Sequence, residues 1–301
     1  YKDIHAHPEL GFQESRTAAL VAAQLEALGL QVTRGVGKTG VVGTLRAGRS
    51  PRSIGLRADM DALPMPEANV FAHRSTFAGV MHACGHDGHT AMLLGAAHHL
   101  ARTKRFDGVV HFIFQPAEEG LGGARAMVDD GLFERFACDA IFGMHNRPSL
   151  PVGHFAVKSG PMMAAGAFFD IQVTGKGAHG ARPETGVDAA LAAAQIAVSL
   201  QSIVARNVAP VDTAVLSVTQ IHAGDAYNVI PQTSRLGGTV RAFSREVMSL
   251  LESSMRRVAE GTAGKGGDHV APWRPGTARA VVDDRALGRH AAPLACASPP
   301  P

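Results

Sequence analysis

The chain has 301 residues, 46% of them hydrophobic and 18% charged, with a formal net charge of +3. That is enough apolar material for a sizeable core and argues against disorder, and no basic run is long enough to form a nucleic-acid footprint. Cys84, Cys138 and Cys296 are too far apart and too few for a disulfide framework, so a reducing, cytoplasmic setting is expected, while the apolar stretch 189–205 is interrupted by Gln195, Ser199, Gln201 and Ser202 and reads as an Ala-rich helix rather than a membrane span.

Residues 14–28 are predicted helical, since Val21, Leu25 and Leu28 share one face and Gly29 is placed to end the run. Residues 53–58 read as a short buried strand. Residues 89–102 read as a helix with Leu93, Ala96, Ala97 and Leu100 on one side. An apolar strand follows at 109–115, a short helical stretch at 126–133 and another apolar strand at 140–144. This alternation predicts an α/β layer over residues 1–160, with helices packed on a largely parallel sheet.

From about residue 165 the pattern changes. Ala167, Phe169, Ile171 and Val173 alternate with Phe168, Asp170, Gln172 and Thr174, the signature of a strand with two distinct faces. A long helix at 188–205, strands at 213–221 and 234–243, and a helix capped by Ser244 complete a β-α-β-β-α unit over 165–260. One more strand would make it a ferredoxin-like split βαβ sandwich. After Gly261 the chain turns rich in Gly, Ala, Pro, Arg and Asp without periodicity, and residues 262–301 are expected to be an aberrant or disordered tail, the product of a frame disruption or chimeric end.

Three strands of the first half run into metal- or proton-competent residues. Residues 53–58 lead to Asp59 and Asp61, 109–115 to Glu118 and Glu119, and 140–144 to His145. Ligands of open α/β sheets bind beyond the carboxyl ends of strands, so these groups are placed to converge. A fourth element, Cys84-Gly85-His86-Asp87-Gly88-His89, puts a thiol, two imidazoles and a carboxylate within six residues just ahead of a helix. Taken singly, Asp59 and Asp61 would be turn caps, the glutamates solvated surface and Cys84 a small buried hydrophobe. Taken together they predict a metal site, with thiolate and imidazole suited to zinc-like ions and carboxylate admitting manganese. A Cys–His nucleophile is the competing chemistry, but Cys84 and His86 are two residues apart, whereas catalytic pairs come from distant segments.

Further runs make the pattern specific: His5-Ala6-His7-Pro8-Glu9-Leu10-Gly11-Phe12, Arg57-Ala58-Asp59-Met60-Asp61-Ala62-Leu63-Pro64, Gln115-Pro116-Ala117-Glu118-Glu119-Gly120, Gly175-Lys176-Gly177-Ala178-His179, Tyr227-Asn228-Val229-Ile230-Pro231 and Gly238-Thr239-Val240-Arg241. Over roughly residues 4–260 the chain resembles the M20 amidohydrolase/aminoacylase family, in the branch of hippurate hydrolases, indole-acetyl-amino-acid hydrolases and N-acyl-amino-acid deacetylases. The resemblance implies a zinc-peptidase-like catalytic α/β domain carrying an inserted ferredoxin-like α+β lid and dimerisation domain. It implies metal-dependent hydrolysis of N-acyl amino acids by a homodimer holding two divalent ions per subunit, Mn2+ or Zn2+ foremost, with Co2+ and Ni2+ also admitted. Cys84, His86, Glu119 and His145 would be ligands, Glu118 the general base and Asp61 the aspartate that orients a ligand, with Asp87 a further candidate for such support. His179, Asn228 and Arg241 would bind substrate, His179 in the active site of the partner subunit.

The resemblance also implies a returning Gly-x-Glu-Asp-Phe-like segment and a late histidine ligand, and neither is found. His269 and His290 lack the surrounding motif. The chain as it stands is therefore expected to be inactive, and the alternative to an amidohydrolase is a catalytically dead fragment that self-associates through residues 165–260.

Overall fold

The computed structural model describes residues 1–263 together with 269–270 and 281–282, and the chain divides into two units, Tyr1–Pro151 and Val152–Pro301. In the first unit, helix α1 (Ser15–Ala27) buries Val21, Ala22 and Leu25, and Gly29, at φ +77°, ends the run. Strands β1 (Gln31–Val36) and β2 (Gly40–Ala47) follow as an antiparallel hairpin, then β3 (Ser53–Asp59). Helix α2 (His86–Thr103) leads to β4 (Gly108–Gln115), helix α3 (Gly123–Asp129) and β5 (Ala140–Gly143).

The five strands form one sheet in the order β1-β2-β4-β3-β5. The expected largely parallel sheet is corrected to a mixed one. β4, β3 and β5 are parallel, but β2 joins β4 antiparallel and brings β1 with it. The hairpin escaped the sequence pattern because β1 is only half apolar and its register breaks between Arg34 and Val36. The helical stretch expected at 126–133 is also split, into α3 and a short helix Leu132–Arg135, at the left-handed Gly131.

Both faces of the sheet are packed. Val41, Leu45, Phe112 and Phe114 meet Val21 and Leu25 of α1 and Leu93 and Ala97 of α2, while Val42 and Ile113 meet Met127, Leu132 and Phe136 on the opposite face. β4 is buried along its whole length, which is why it reads as a continuous apolar run. Gly43 makes room for α1, since a Cβ there would stand 2.9 Å from Leu25 Cδ1. The parallel trio fixes where the chemistry sits. Asp59 is in register with Gln115, and Arg57 with Gly143, so the carboxyl ends of β3, β4 and β5 lie side by side.

The second unit is an antiparallel sheet with two helices. Strand β6 (Ala165–Thr174), helix α4 (Ala189–Asn207), β7 (Ala214–Ala223), β8 (Thr233–Ala242) and helix α5 (Arg245–Ala263) succeed one another as expected. Ser244 accepts the Val247 N–H at 3.2 Å and starts α5. The missing strand is corrected: His269–Val270, β9, pairs with Thr174 and Val173, giving the order β9-β6-β8-β7. The rest of the expected tail lies outside the described residues, apart from Val281–Val282, which pairs with 161–163. Helix α4 is long and apolar enough to cross a membrane, but Ala189, Ala193, Ile196, Leu200 and Ile203 are buried against this sheet.

Leu25 is fully buried between α1 and β2. Leu25→Ala is expected to lower the unfolding free energy of the first unit by about 2–5 kcal/mol, whereas Val70→Ala, at a position 88% exposed, stays within about 0.5 kcal/mol; denaturant titration of the two variants checks the contrast.

Candidate metal centre

Each expected residue of the first unit arrives at the carboxyl edge of the parallel trio by a local cause. Asp61 follows β3, Glu118 and Glu119 follow β4 after the turn at Pro116-Ala117, and His145 follows β5. Gly85, left-handed at φ +88°, turns the chain into α2 so that Cys84 precedes the helix and His86 begins it.

Asp61 ties the edge together. Its Oδ1 accepts from His86 Nδ1 at 3.1 Å and its Oδ2 accepts from the Glu119 N–H at 2.9 Å. The Nδ1–H bond leaves the His86 Nε2 lone pair facing inward, and that atom is buried with no hydrogen-bond partner. Around it stand Asp59 Oδ2 at 3.7 Å, Glu119 Oε1 at 3.8 Å and Glu118 Oε2 at 3.9 Å. These spacings are too long for hydrogen bonds. They match donors shared by one ion, since four ligands at about 2.1 Å in a tetrahedron lie about 3.4 Å apart.

His145 is prepared in the same way. Its Nδ1–H donates to the Asn146 carbonyl at 2.8 Å, leaving Nε2 3.3 Å from Cys84 Sγ. Two imidazoles thus have their outer nitrogens fixed by acceptors and their inner nitrogens turned toward the site, His86 Nε2 unpartnered and His145 Nε2 on Cys84 Sγ, the usual second-partner arrangement of metal-binding histidine. Cys84, His86 and His145 form one group with donor atoms in mutual reach, and His86, Glu118 and Glu119 form another.

The electrostatics favour a cation. Burial opposes charge on His86, yet the Asp61 carboxylate, the nearby Cys84 sulfur and the Asp59 charge raise its pKa to about 11, so the pocket draws positive charge to Nε2, as a proton or as a metal ion. The same negative surroundings suit a divalent ion. Burial pushes the Glu119 carboxyl upward, with Glu118 and Asp61 adding repulsion, and Glu118 is the more exposed of the neighbouring pair.

A third group with donors in reach adds Asp59 and His89, neither named as a ligand from the sequence, to His86. Its geometry is that of a support. Asp59 Oδ1 accepts from His89 Nδ1 at 2.6 Å and Oδ2 from Arg57 at 2.7 Å, and His89 Nε2 accepts the Asn146 N–H at 3.0 Å. Both carboxylate oxygens are committed, and the chain beside His145 is thereby held. His89 was visible in the Cys84–His89 run, but its partnership with Asp59, thirty residues away, carried no local signal. His82, two residues before Cys84, is buried with both ring nitrogens unpartnered, and burial lowers its pKa to about 4.

In the second unit, His179 and Asn228 are brought together. His179 pairs with Val229 in a two-residue ladder, and the Gly180 N–H donates to the Asn228 carbonyl at 2.7 Å. The Ala181 N–H donates to His179 Nδ1 at 3.1 Å, which leaves the exposed Nε2 as the donor. Arg241 is not with them. It sits opposite Gly166 near the far end of β8, donating to Thr239 Oγ1 at 2.7 Å and the Val240 carbonyl at 3.1 Å.

Comparison with known proteins gives a consistent picture. The profile of peptidase family M20/M25/M40 matches residues 55–282. A hippurate hydrolase from Campylobacter jejuni is 49% identical over 260 residues, 86% of this chain and 68% of that protein. An N-acetylcysteine deacetylase from Bacillus subtilis is 43% identical over 277 residues, 91% of this chain and 72% of that protein. A solved Bacillus subtilis structure, described as a dinuclear metal-binding peptidase of the M20 family, superposes with a TM-score of 0.79 at 38% identity, covering 98% of this chain and 77% of that one.

The metal edge is buttressed by His5, whose Nδ1 meets Asp87 Oδ2 at 2.6 Å and whose Nε2 meets Glu67 Oε1 at 3.0 Å. A ring donating from both nitrogens is an imidazolium. Burial opposes that charge, but the hydrogen bonds to Glu67 and Asp87 outweigh it and raise the pKa. Glu67 is desolvated, yet donors from Ser75, His5 and Asn69 hold its carboxyl down to about 2. The sign follows. The stability His5 contributes is whole below the usual value near 6.5 and is lost as pH rises through the elevated folded value. The melting-temperature gap between wild type and His5→Asn, measured by calorimetry from pH 5 to 9, is expected to be widest at pH 5–6 and to narrow on the alkaline side.

Proposed function

Because the chain belongs to peptidase family M20/M25/M40 and is a hydrolase of amide bonds, we propose that it cleaves N-acyl amino acids with two divalent ions, Mn2+ or Zn2+, held by Cys84, His86, Glu119 and His145. The observation that carries this reading is the buried, unpartnered Nε2 of His86 facing carboxylate oxygens at 3.7–3.9 Å. The relatives named hippurate hydrolase and N-acetylcysteine deacetylase support aroyl-glycine and N-acetyl amino acids as the substrate classes. A reducing cytoplasm suits the unpaired Cys84 and Cys138.

Bound there, the ions would polarise the amide carbonyl and make water a stronger nucleophile at neutral pH. The protein supplies the proton traffic and the orientation. Glu118, the more exposed neighbour, takes a proton from the attacking water and returns it to the amide nitrogen as the C–N bond breaks, yielding a carboxylic acid and an amine, which settle as carboxylate and ammonium. Asp61 holds the His86 ring and the Glu119 backbone so that both present their donors to one point.

We also propose that residues 165–260 serve as lid and dimerisation domain, with His179 donating to the substrate carbonyl in the partner subunit's active site and Arg241 gripping the substrate carboxylate. His179 and Asn228 lie at a two-residue ladder and Arg241 on β8, so two separate elements of the unit would supply the substrate contacts.

Two sets of variants test the reading. In a background with measurable turnover, Glu118→Gln is expected to keep metal, by elemental analysis, while hydrolysis of hippurate and N-acetyl amino acids falls about 10²–10⁴-fold; Glu119→Ala and Cys84→Ala are expected to lose metal and activity together. The reverse pattern in the two glutamate variants overturns the division of roles.

Mixing inactive His179→Ala with inactive Glu118→Gln is expected to restore activity in mixed dimers. No recovery after confirmed subunit exchange counts against a shared site.

A further inference from the structure

Glu14 is fully buried and its carboxylate is absorbed by none of the chemistry above. It lies at the start of α1, yet it reaches across the unit. Oε1 accepts the Ala117 N–H at 2.8 Å and Oε2 accepts the Thr39 hydroxyl at 2.5 Å. A residue 103 positions away along the chain therefore grips the backbone immediately before Glu118.

Ala117 needs gripping. It is left-handed, at φ +49°, with no glycine to relieve the Cβ. Such a conformation persists only where the surroundings over-determine it. Here they do. Ala117 is fully buried, its carbonyl accepts the Gly123 N–H at 2.9 Å, and a Cβ on Gly11 would come within 3.1 Å of its Cα. Gly123 is pressed so close to the Pro116 carbonyl that no side chain fits. The left-handed step turns the chain out of β4 so that Glu118 and Glu119 stand beside His86 Nε2. Asp61 fixes the far side of the turn through the Glu119 N–H, and Glu14 fixes the near side.

We infer that Glu14 is a positioning residue: by accepting the Ala117 N–H it holds the left-handed turn that aims Glu118 and Glu119 at the metal centre. This rests on the reading of Glu119 as a ligand and Glu118 as the base. It is distinct from general support of the fold, because the bond acts on one peptide of a strained turn. A glutamine keeps the acceptor oxygen and can donate to Thr39, so it preserves the device. An alanine leaves the Ala117 N–H buried and unpaired.

The test uses Co2+ as probe, with amide hydrogen exchange alongside. In Glu14→Ala, exchange at Ala117 and Glu119 is expected to quicken by about tenfold or more while residues 110–114 of β4 stay protected. Co2+ affinity, followed by the thiolate-to-cobalt band of Cys84, is expected to fall about 10–100-fold, the usual loss when a residue behind a ligand is removed. Glu14→Gln should remain within about threefold of wild type in both readouts, since its oxygen still accepts. Unchanged exchange at Ala117 and Glu119 overturns the proposal, as does equal acceleration throughout β2 and β4, which would mean a merely structural residue. If Glu14→Ala does not fold, Glu14→Asp decides: its carboxylate is retracted by one methylene, and wild-type exchange at Ala117 in that variant overturns the proposal equally. Glu119→Ala is titrated in parallel. If it binds Co2+ like wild type, the ligand assignment has failed, and Glu14 is judged on the exchange data alone.

Discussion

The carboxylate of Asp61 accepts from two directions, and three segments of the first unit meet through it. It leaves β3, binds the ring at the start of α2 and binds the backbone beyond β4. Only a parallel arrangement makes this possible, because it brings the carboxyl ends of β3, β4 and β5 to one edge. An antiparallel β3–β4 pair would have sent Asp61 and Glu119 to opposite edges. The hairpin of β1 and β2 is free to be antiparallel because it contributes no ligand, only cover and a turn that reaches Glu14 through Thr39.

The edge concentrates charge that a folded core would ordinarily avoid. Asp59, Asp61, Asp87 and Glu14 are all nearly inaccessible, together with His5, His82, His86 and His89. Burial alone would neutralise them. His82 yields to burial and Glu14 is pushed upward by it; the others are kept by pairing: Asp59 between Arg57 and His89, Asp87 on His5, Asp61 on His86. Such networks contribute little net stability, since desolvation offsets most of the attraction, but removing one member strands the rest. Their return is orientation. His86 and His145 each have one nitrogen committed so that the other faces inward.

Legibility in the sequence followed the range of the cause. The parallel strands were visible as apolar runs, β4 because it is buried along its whole length, and the ligand-type residues were visible because they directly follow those runs or, in the Cys84–His89 segment, crowd into six positions. The hairpin at 31–47 was not, because β1 is half polar and interrupted by a bulge. Nor was the short β9, two residues in an aperiodic stretch. The supporting pairs were beyond reach for a different reason. His5 with Glu67, Asp59 with His89, and Glu14 with Ala117 are 62, 30 and 103 positions apart, and nothing in either residue's surroundings names its partner.

The adjacent glutamates show how one backbone step gives two consecutive carboxylates different surroundings. Consecutive carboxylates of equal environment would compete for the same cation and the same proton. Here the environment differs within a single residue. Glu119 is anchored by its own N–H on Asp61 and is the more buried, with its carboxyl pushed upward by burial and neighbouring negative charge. A dication relieves that cost directly, so the carboxylate is suited to stay bound. Glu118 lies on the solvent side. The left-handed Ala117 makes the distinction possible. With an ordinary extended residue there, the two side chains would continue the alternation of β4 and point to opposite faces of the sheet. Turned at Ala117, both reach His86 Nε2 within 0.1 Å of the same distance, 3.8 and 3.9 Å, from different degrees of exposure.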